Sequence, residues 1–203
     1  MGSMDGLMHL DLSYNNIGDS GAMSFSEVME PMHRLTHLDL SHNNIEYIGA
    51  QSVSKGIMSM DGLTRLDLSH NNIEDDGAES LSEGIKSKDR LTHLDLSHNN
   101  IEVGGAKSLS DVMESMHGLT YLDLSHNNIG VDGAKCFSKV LESMPRLTHL
   151  DFSNNNIGAV GANSMDVFYS LLNCVVSNFG KCSKPATTPD HGSIEQNILT
   201  VEH

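Results

Sequence analysis

The sequence predicts an α/β solenoid, a right-handed horseshoe segment with a parallel sheet on its concave face and helices on its convex face. One observation is a segment of eleven residues that begins at Leu7 and returns almost unchanged every 28 residues. The second is that each copy has strand periodicity in its first half and helix periodicity in its second. The first leucine of the segment recurs as Leu35, Leu63, Leu91, Leu119 and Leu147.

The first half of each copy predicts a short strand. In the fourth copy, Leu94 and Leu96 alternate with polar residues, which is the period of two expected of a half-buried strand. We expect the leucines to point into the core and His93, Asp95 and Ser97 to lie on the open face. Six parallel strands are predicted, beginning near the six leucines that start the copies, with about 4.8 Å between neighbours.

An asparagine follows each strand at the same position. Because a buried amide needs hydrogen-bond partners, we interpret this residue as structural, bonded to backbone groups where the chain turns. The six positions are Asn15, Asn43, Asn71, Asn99, Asn127 and Asn155.

The second half of each copy predicts an amphipathic helix. From Ala106 to Met116 the apolar residues fall at offsets of 3, 3, 1 and 3, which places them on one face of a helix. A glycine precedes the alanine in every copy; the glycine permits a tight turn at the helix start, and the small alanine permits close approach of the next coil. Methionines on the same face suit an irregular helix-side core.

The motif L-T-H-L-D-L-S-H-N-N-I-x-x-x-G-A-x-x-L resembles the ribonuclease-inhibitor-like class of leucine-rich repeats. It is similar to repeats of ribonuclease inhibitors, of the carboxy-terminal regions of NOD-like receptors, and of GTPase-activating proteins for the nuclear transport GTPase. The resemblance extends from Leu7 to about Cys174. It implies a coil with its strand inside and its helix outside, and a protein-binding concave face.

We predict four segments along the chain. Residues 1–6 are a leader, and residues 7–174 are six repeats. Residues 175–182 are a degenerate cap, because Val175 stands where the next leucine is due but Asn178 and Gly180 occupy the following apolar positions. Residues 183–203 are polar and contain prolines, so we expect a disordered tail.

The composition restricts the partners. The net charge is −15, with 27 acidic against 12 basic residues, so nucleic acid and acidic membranes are excluded as expected partners and a protein with a basic patch is favoured. No signal peptide or membrane-spanning run is recognisable, and three cysteines without framework spacing fit a reducing compartment. We therefore expect a cytoplasmic protein without a cofactor; the sequence leaves its oligomeric state open.

Polar residues recur in register on the expected concave face. One series is Asp11, Asp39, Asp67, Asp95, Asp123 and Asp151. Two residues before these stand His9, His37, Arg65, His93, Tyr121 and His149. Three residues after them stand His42, His70, His98 and His126, with Tyr14 and Asn154 in the end copies.

Three interpretations of these residues remain open. The aspartates are either locally bonded repeat consensus, a stripe that binds lysine and arginine, or cation ligands. The histidines are a product of duplication, zinc ligands, or, beside aspartates, groups that titrate near neutral pH. Arg65 and Tyr121 replace histidine in single copies and belong to residue types enriched at binding hot spots.

The predicted function is a non-enzymatic protein-binding module that uses its acidic concave face. No nucleophile elbow, P-loop or metalloprotease helix occurs, so an enzyme is not expected. Two alternatives stay open: a regulator of the GTPase-activating type, and a fragment of a larger receptor or effector whose activity lies in other domains.

Overall fold

The computed structural model describes residues 6–29, 32–157 and 200–201. Within them, six short parallel strands form one open sheet and alternate with five helices. The strands are β1 (His9–Asp11), β2 (His37–Asp39), β3 (Arg65–Asp67), β4 (His93–Asp95), β5 (Tyr121–Asp123) and β6 (His149–Asp151). The helices are α1 (Gly18–Met29), α2 (Tyr47–Ile57), α3 (Glu74–Ile85), α4 (Val103–Met113) and α5 (Gly130–Val140), the last followed by a 3₁₀ turn at Leu141–Ser143.

The register of the sheet follows the sequence repeat. His9 lies opposite His37, and Leu94 lies opposite Leu122, so each residue pairs with its counterpart in the next copy. The predicted parallel ladder and the α/β solenoid are thus confirmed, with strands that begin two residues after the leading leucines. A helix after the sixth strand was also expected; its residues lie outside the described ones.

One strand was not predicted. Thr200–Val201 form β7, which pairs antiparallel with β6 and places Val201 opposite Leu150. These residues fall within the segment 183–203 expected to be disordered. The rest of that segment and the proposed cap at 175–182 lie outside the described residues.

The core is a continuous stack of apolar side chains between sheet and helices. Leu38, Leu66, Leu94 and Leu122 are at most 1 % exposed, as the strand pattern predicts. Near the sixth repeat, the ring of Phe137 packs edge-on against Phe152 with centroids 5.0 Å apart. No helix among the described residues is long and apolar enough to cross a membrane.

The predicted structural role of the asparagines is confirmed. The side-chain amide of Asn127 donates to the carbonyl oxygens of Leu96, Leu124 and Ser125 at 2.9–3.2 Å. Its Oδ1 accepts from the backbone N–H groups of Asn99 and Ile101 in the preceding coil. Each such asparagine therefore closes its own turn and joins it to a neighbour.

The turns after the asparagines are of two alternating kinds. In the first, third and fifth copies a residue with positive φ starts the helix: Gly18 (58°), Glu74 (58°) and Gly130 (65°). In the second and fourth copies the equivalent residues, Glu46 and Glu102, are extended, with φ of −98° and −105°. From the second copy to the fifth, the structural period of this edge is therefore two sequence repeats; the first copy differs because Asn16 also has positive φ (51°).

An aspartate from the preceding coil accompanies the extended turns. Oδ1 of Asp19 accepts from the backbone N–H groups of Glu46 and Gly49, both at 2.8 Å. In the fourth copy, Asp75 accepts from the backbone N–H of Glu102 through Oδ1 at 2.7 Å and from that of Gly104 through Oδ2 at 3.0 Å. These carboxylates bond N–H groups that the first turn of a helix leaves without intrahelical partners.

Candidate functional site: the concave face

The concave face carries three columns of side chains that run across the strands. The strand-start column consists of His9, His37, Arg65, His93, Tyr121 and His149. The aspartate column consists of Asp11, Asp39, Asp67, Asp95, Asp123 and Asp151. The turn column consists of Tyr14, His42, His70, His98, His126 and Asn154. The parallel register places equivalent side chains next to one another in the strand-start and aspartate columns.

Every carboxylate of the aspartate column has a local partner. Oδ1 of Asp95 accepts from the backbone N–H of Ser97 at 3.0 Å and from its hydroxyl at 2.8 Å. The backbone bond recurs in all six copies. Ser97, which we predicted on the open face, is only 6 % exposed, so that prediction is wrong; the serine turns back to bond its aspartate.

The central aspartates hold a proton more readily than an exposed carboxyl group does. Burial raises the pKa of Asp95 to about 6; the charges of Asp67 and Asp123 add to the rise, and the bonds from Ser97 oppose it. Burial also raises the pKa of Asp67, against the bonds from Ser69 and the charge of Arg65. At neutral pH Asp95 is therefore mostly negatively charged, and it becomes neutral in mildly acidic solution.

The turn column is a stack of aromatic rings. The ring of Tyr14 lies 4.0 Å from that of His42, and three further histidine contacts follow at 3.9 Å between centroids. At the other end of the stack, the Asn154 amide donates to Nε2 of His126 at 2.9 Å. All six residues of this column have φ between 53° and 59°, a conformation that few side chains adopt readily.

The stacking changes the expected chemistry of the histidines. Burial lowers the pKa of His98 to about 4, and the neighbouring His70 and His126 contribute because adjacent imidazolium groups would repel. The pKa of His70 is lowered for the same reasons. Our expectation that histidines beside aspartates titrate near neutral pH is wrong for His98, and the pKa of His70 is shifted in the same direction.

The strand-start column is interrupted by Arg65. His9 stacks on His37 at 4.0 Å, and Tyr121 stacks between His93 and His149 at 3.8 and 4.1 Å. Between these groups, Nη2 of Arg65 donates to Nε2 of His93 at 3.3 Å. Burial lowers the pKa of His93 to about 4, and the charge of Arg65 reinforces the effect.

Arg65 and Tyr121, which replace histidine in single copies, lie in different environments. Arg65 is exposed and, with Asp67 and His93, lines a shallow depression over the first strands. Tyr121 is half-buried, and its hydroxyl lies 3.4 Å from Oδ2 of Asp123. Burial raises the pKa of this tyrosine, and the surrounding aspartates add to the rise. Their role as hot spots stays a prediction.

The geometry gives no support to a metal centre. Within residues 6–29, 32–157 and 200–201, no group of three or more histidine, cysteine, aspartate or glutamate side chains is arranged to hold a metal ion. The flat ladder spreads potential ligands along columns, whereas a metal needs them to converge. The face does offer rows of hydrogen-bond acceptors, which suit a partner rich in donors.

Comparison with known proteins gives one family. Models described as leucine-rich repeat match residues 7–26 and 33–54, residues 61–129 and 89–157, and residues 146–171. No curated protein matches the sequence.

Two solved structures resemble the fold. The C-terminal domain of tropomodulin from Caenorhabditis elegans aligns with a TM-score of 0.58 at 12 % identity, over 70 % of this chain and 86 % of that one. An internalin from Listeria monocytogenes aligns with a TM-score of 0.39 at 21 % identity, over 71 % of this chain and 47 % of that one. At 12 % identity the likeness to the tropomodulin domain concerns the fold alone.

Proposed function

Because the chain belongs to the leucine-rich repeat family, we propose that it is a non-enzymatic binding module whose acidic concave face captures a basic protein. Leucine-rich repeat domains generally mediate protein–protein interaction. The basic character of the partner is our inference from this chain. It agrees with the net charge of −15, since electrostatic complementarity favours and accelerates such encounters.

One observation carries the proposal: six aspartates lie in register across the sheet, flanked by columns that are mostly uncharged. In the middle of the face, the described hydrogen bonds of Asp67 and Asp95 engage only Oδ1. Oδ2 of each carboxylate is therefore open to a donor from a partner. The raised pKa values of both groups indicate that a positive charge placed beside them would be favoured.

The test removes charge from the column without removing its acceptors. Changing Asp67, Asp95 and Asp123 to asparagine keeps an oxygen for each serine N–H. We expect this variant to lose basic partners in a pull-down at low salt, and the wild type to lose them as salt rises, because exposed charges are screened over about 8–10 Å near physiological ionic strength.

A matched control has the same change in charge on the convex side. Glu27, Glu83 and Asp111 are exposed on α1, α3 and α4, and their triple replacement by glutamine and asparagine should leave capture intact. Equal retention of partners by the concave-face variant and the wild type would show that the aspartates serve only the turns. Circular dichroism and thermal melting verify that each variant is folded.

We also assign the repeats to the ribonuclease-inhibitor-like class and the protein to the cytoplasm. The helices of 11 or 12 residues in each convex half support the first assignment. The second rests on the cysteine usage; Cys136 is a free thiol. Fluorescence of a tagged full-length chain in its native cell type tests the location.

A further inference from the structure

The acceptors of the concave face are arranged in a way that distinguishes one basic side chain from another. We propose that the element recognised in the partner is an extended segment containing several arginines, and that arginine is preferred over lysine. This preference rests on the proposed capture of a basic protein by the same face. Each guanidinium would bridge an aspartate carboxylate and the edge nitrogen of an adjacent histidine ring.

The stacking of the turn column limits how a partner can contact its rings. Because the rings of the turn column stack at 3.9–4.0 Å, their faces inside the stack are covered by neighbouring rings. What they offer a partner is their edges. A neutral imidazole has one nitrogen that donates and one that accepts. His70 and His98, whose pKa values are lowered, therefore each present an acceptor nitrogen at the edge of the turn column.

The protein already uses equivalent ring nitrogens on this face as acceptors for planar N–H groups. Arg65 supplies a guanidinium to Nε2 of His93 at 3.3 Å, and its charge also acts on Asp67. Asn154 supplies a planar amide N–H to Nε2 of His126 at 2.9 Å. Both donors are planar N–H groups at a ring edge, so the columns accommodate this geometry without disruption of the stacks.

The shape of the charged group distinguishes arginine from lysine on this face. A guanidinium has five N–H donors in a rigid plane and can engage two acceptors on neighbouring columns at once. A lysine ammonium is a compact, strongly hydrated charge without this planar spread. Simple charge attraction would treat the two alike, whereas bridging favours arginine by about one charge-assisted hydrogen bond, or roughly tenfold in affinity.

The experiment measures binding of three synthetic peptides of identical length and sequence, with arginine, lysine or citrulline at alternate positions. Fluorescence anisotropy at pH 7 and low ionic strength gives the dissociation constants. We expect the arginine peptide to bind about tenfold more tightly than the lysine peptide, and the uncharged citrulline peptide to bind least. Equal affinities for arginine and lysine would overturn the bridging model and leave capture by charge intact. No binding of either would overturn both.

A protein variant tests the histidine nitrogens directly. Changing His70 and His98 to phenylalanine keeps a ring at each position of the turn column, as Tyr14 does in the first copy, but removes the edge acceptors. We expect the arginine preference to fall to the level of lysine, with lysine affinity unchanged. His117, which is exposed and has its Nδ1 3.3 Å from the carbonyl oxygen of Ser143, provides the matched control His117→Phe. A preference that survives the double change would refute the role of the ring nitrogens.

Discussion

Asp95 and His98 lie in adjacent columns. Their pKa values are in the reverse of the usual order, because that of the aspartate is higher than that of the histidine. The pKa of Asp95 is about 6, raised chiefly by burial, and that of His98 is about 4, lowered chiefly by burial. As the solution is acidified from pH 7, Asp95 therefore becomes neutral before His98 becomes charged, and a basic partner held by Asp95 should bind more weakly below about pH 6 without any need for repulsion.

The raised pKa of Asp95 should also make the folding stability depend on pH. The pKa of Asp95 is higher in the folded protein than in the unfolded chain, so its contribution to stability is fully present below its ordinary value and is lost as pH rises through about 6. In Asp95→Asn this dependence disappears. We expect the variant to gain stability relative to wild type at pH 7.5 and to lose that advantage as pH falls to 5.

Urea melts of both proteins at pH 7.5, 6 and 5 measure the difference. His93 and His98 contribute the opposite trend, because their lowered pKa values favour the folded state at neutral pH and that contribution is lost as pH falls towards 4. Since they are present in both proteins, the comparison isolates Asp95. A stability difference that stays constant across this range would contradict the raised pKa.

Lys88 is a residue whose importance the sequence did not reveal. It occupies the position that neighbouring repeats give to the buried Met60 and Met116, and it is only 4 % exposed. Its Nζ donates to the carbonyl oxygen of Met58 at 2.9 Å and lies 3.7 Å from Oδ1 of Asp61, which is itself exposed. One hydrogen bond and one exposed carboxylate do not offset the free energy of removing this charge from water, so Lys88 destabilises the folded state.

We expect Lys88→Met to stabilise the protein by about 1–4 kcal/mol, because a residue of the repeat's own type replaces a desolvated charge. The measurement is the free energy of unfolding from urea melts at neutral pH. The exposed Lys107 provides the control, and Lys107→Met should change stability by less than about 0.5 kcal/mol. A loss of stability in Lys88→Met would mean that its bond to Met58 outweighs its desolvation.

Among the secondary-structure elements, the conformation of the turns that begin the helices is what the sequence does not predict. The parallel strands, the buried leucines and the bonding asparagines follow from periodicity and from the need of buried amides for partners. The two turn types do not, because Glu46 and Glu74 are the same residue at the same repeat position. Glu46 is extended beside Asp19 of the preceding coil, whereas Glu74 has positive φ. The difference lies in a neighbour one coil away, which a pattern within a single repeat does not contain.

The turn at Glu74 is also strained. Gly18 and Gly130 occupy the equivalent positions with similar φ, and a residue other than glycine there costs roughly 1 kcal/mol. The same turn leaves Oδ1 of Asn99 without a hydrogen-bond partner among the described residues. The third repeat thus has a more strained turn and one fewer hydrogen-bonded acceptor than the first or fifth, although its sequence motif is intact.

Replacing Glu74 by glycine should therefore stabilise the protein by about 1 kcal/mol, since glycine adopts positive φ without steric penalty. Glu46→Gly is the matched control: its φ of −98° is open to any residue, so glycine there brings only added flexibility in the unfolded chain and a small loss. Thermal melts of the two variants separate these outcomes. A destabilised Glu74→Gly would indicate that the side chain's bond with Asn72 at 2.9 Å matters more than the strain.

For the whole molecule, the governing fact is that each coil is stabilised only by its neighbours. Contacts between elements run from α1 to α2, from α2 to α3 and onward, and from each strand to the next. The same repeat position is consequently buried to different degrees along the array. Leu96, in the fourth copy, is 1 % exposed, whereas its counterpart Leu12, in the first, is only partly buried.

This gradient predicts different costs for one chemical change. Leu96→Ala should destabilise the protein by about 2–5 kcal/mol, because it opens a cavity between coils on both sides. Leu12→Ala removes the same atoms from a position that is only partly buried, so it should cost distinctly less. Hydrogen exchange should also show faster amide exchange across β1 than across β4, since among the described residues β1 pairs with one strand and β4 with two. Equal losses at the two leucines, together with equal protection of the two strands, would mean that the array unfolds as one unit and that its first coil is covered by something other than the second coil.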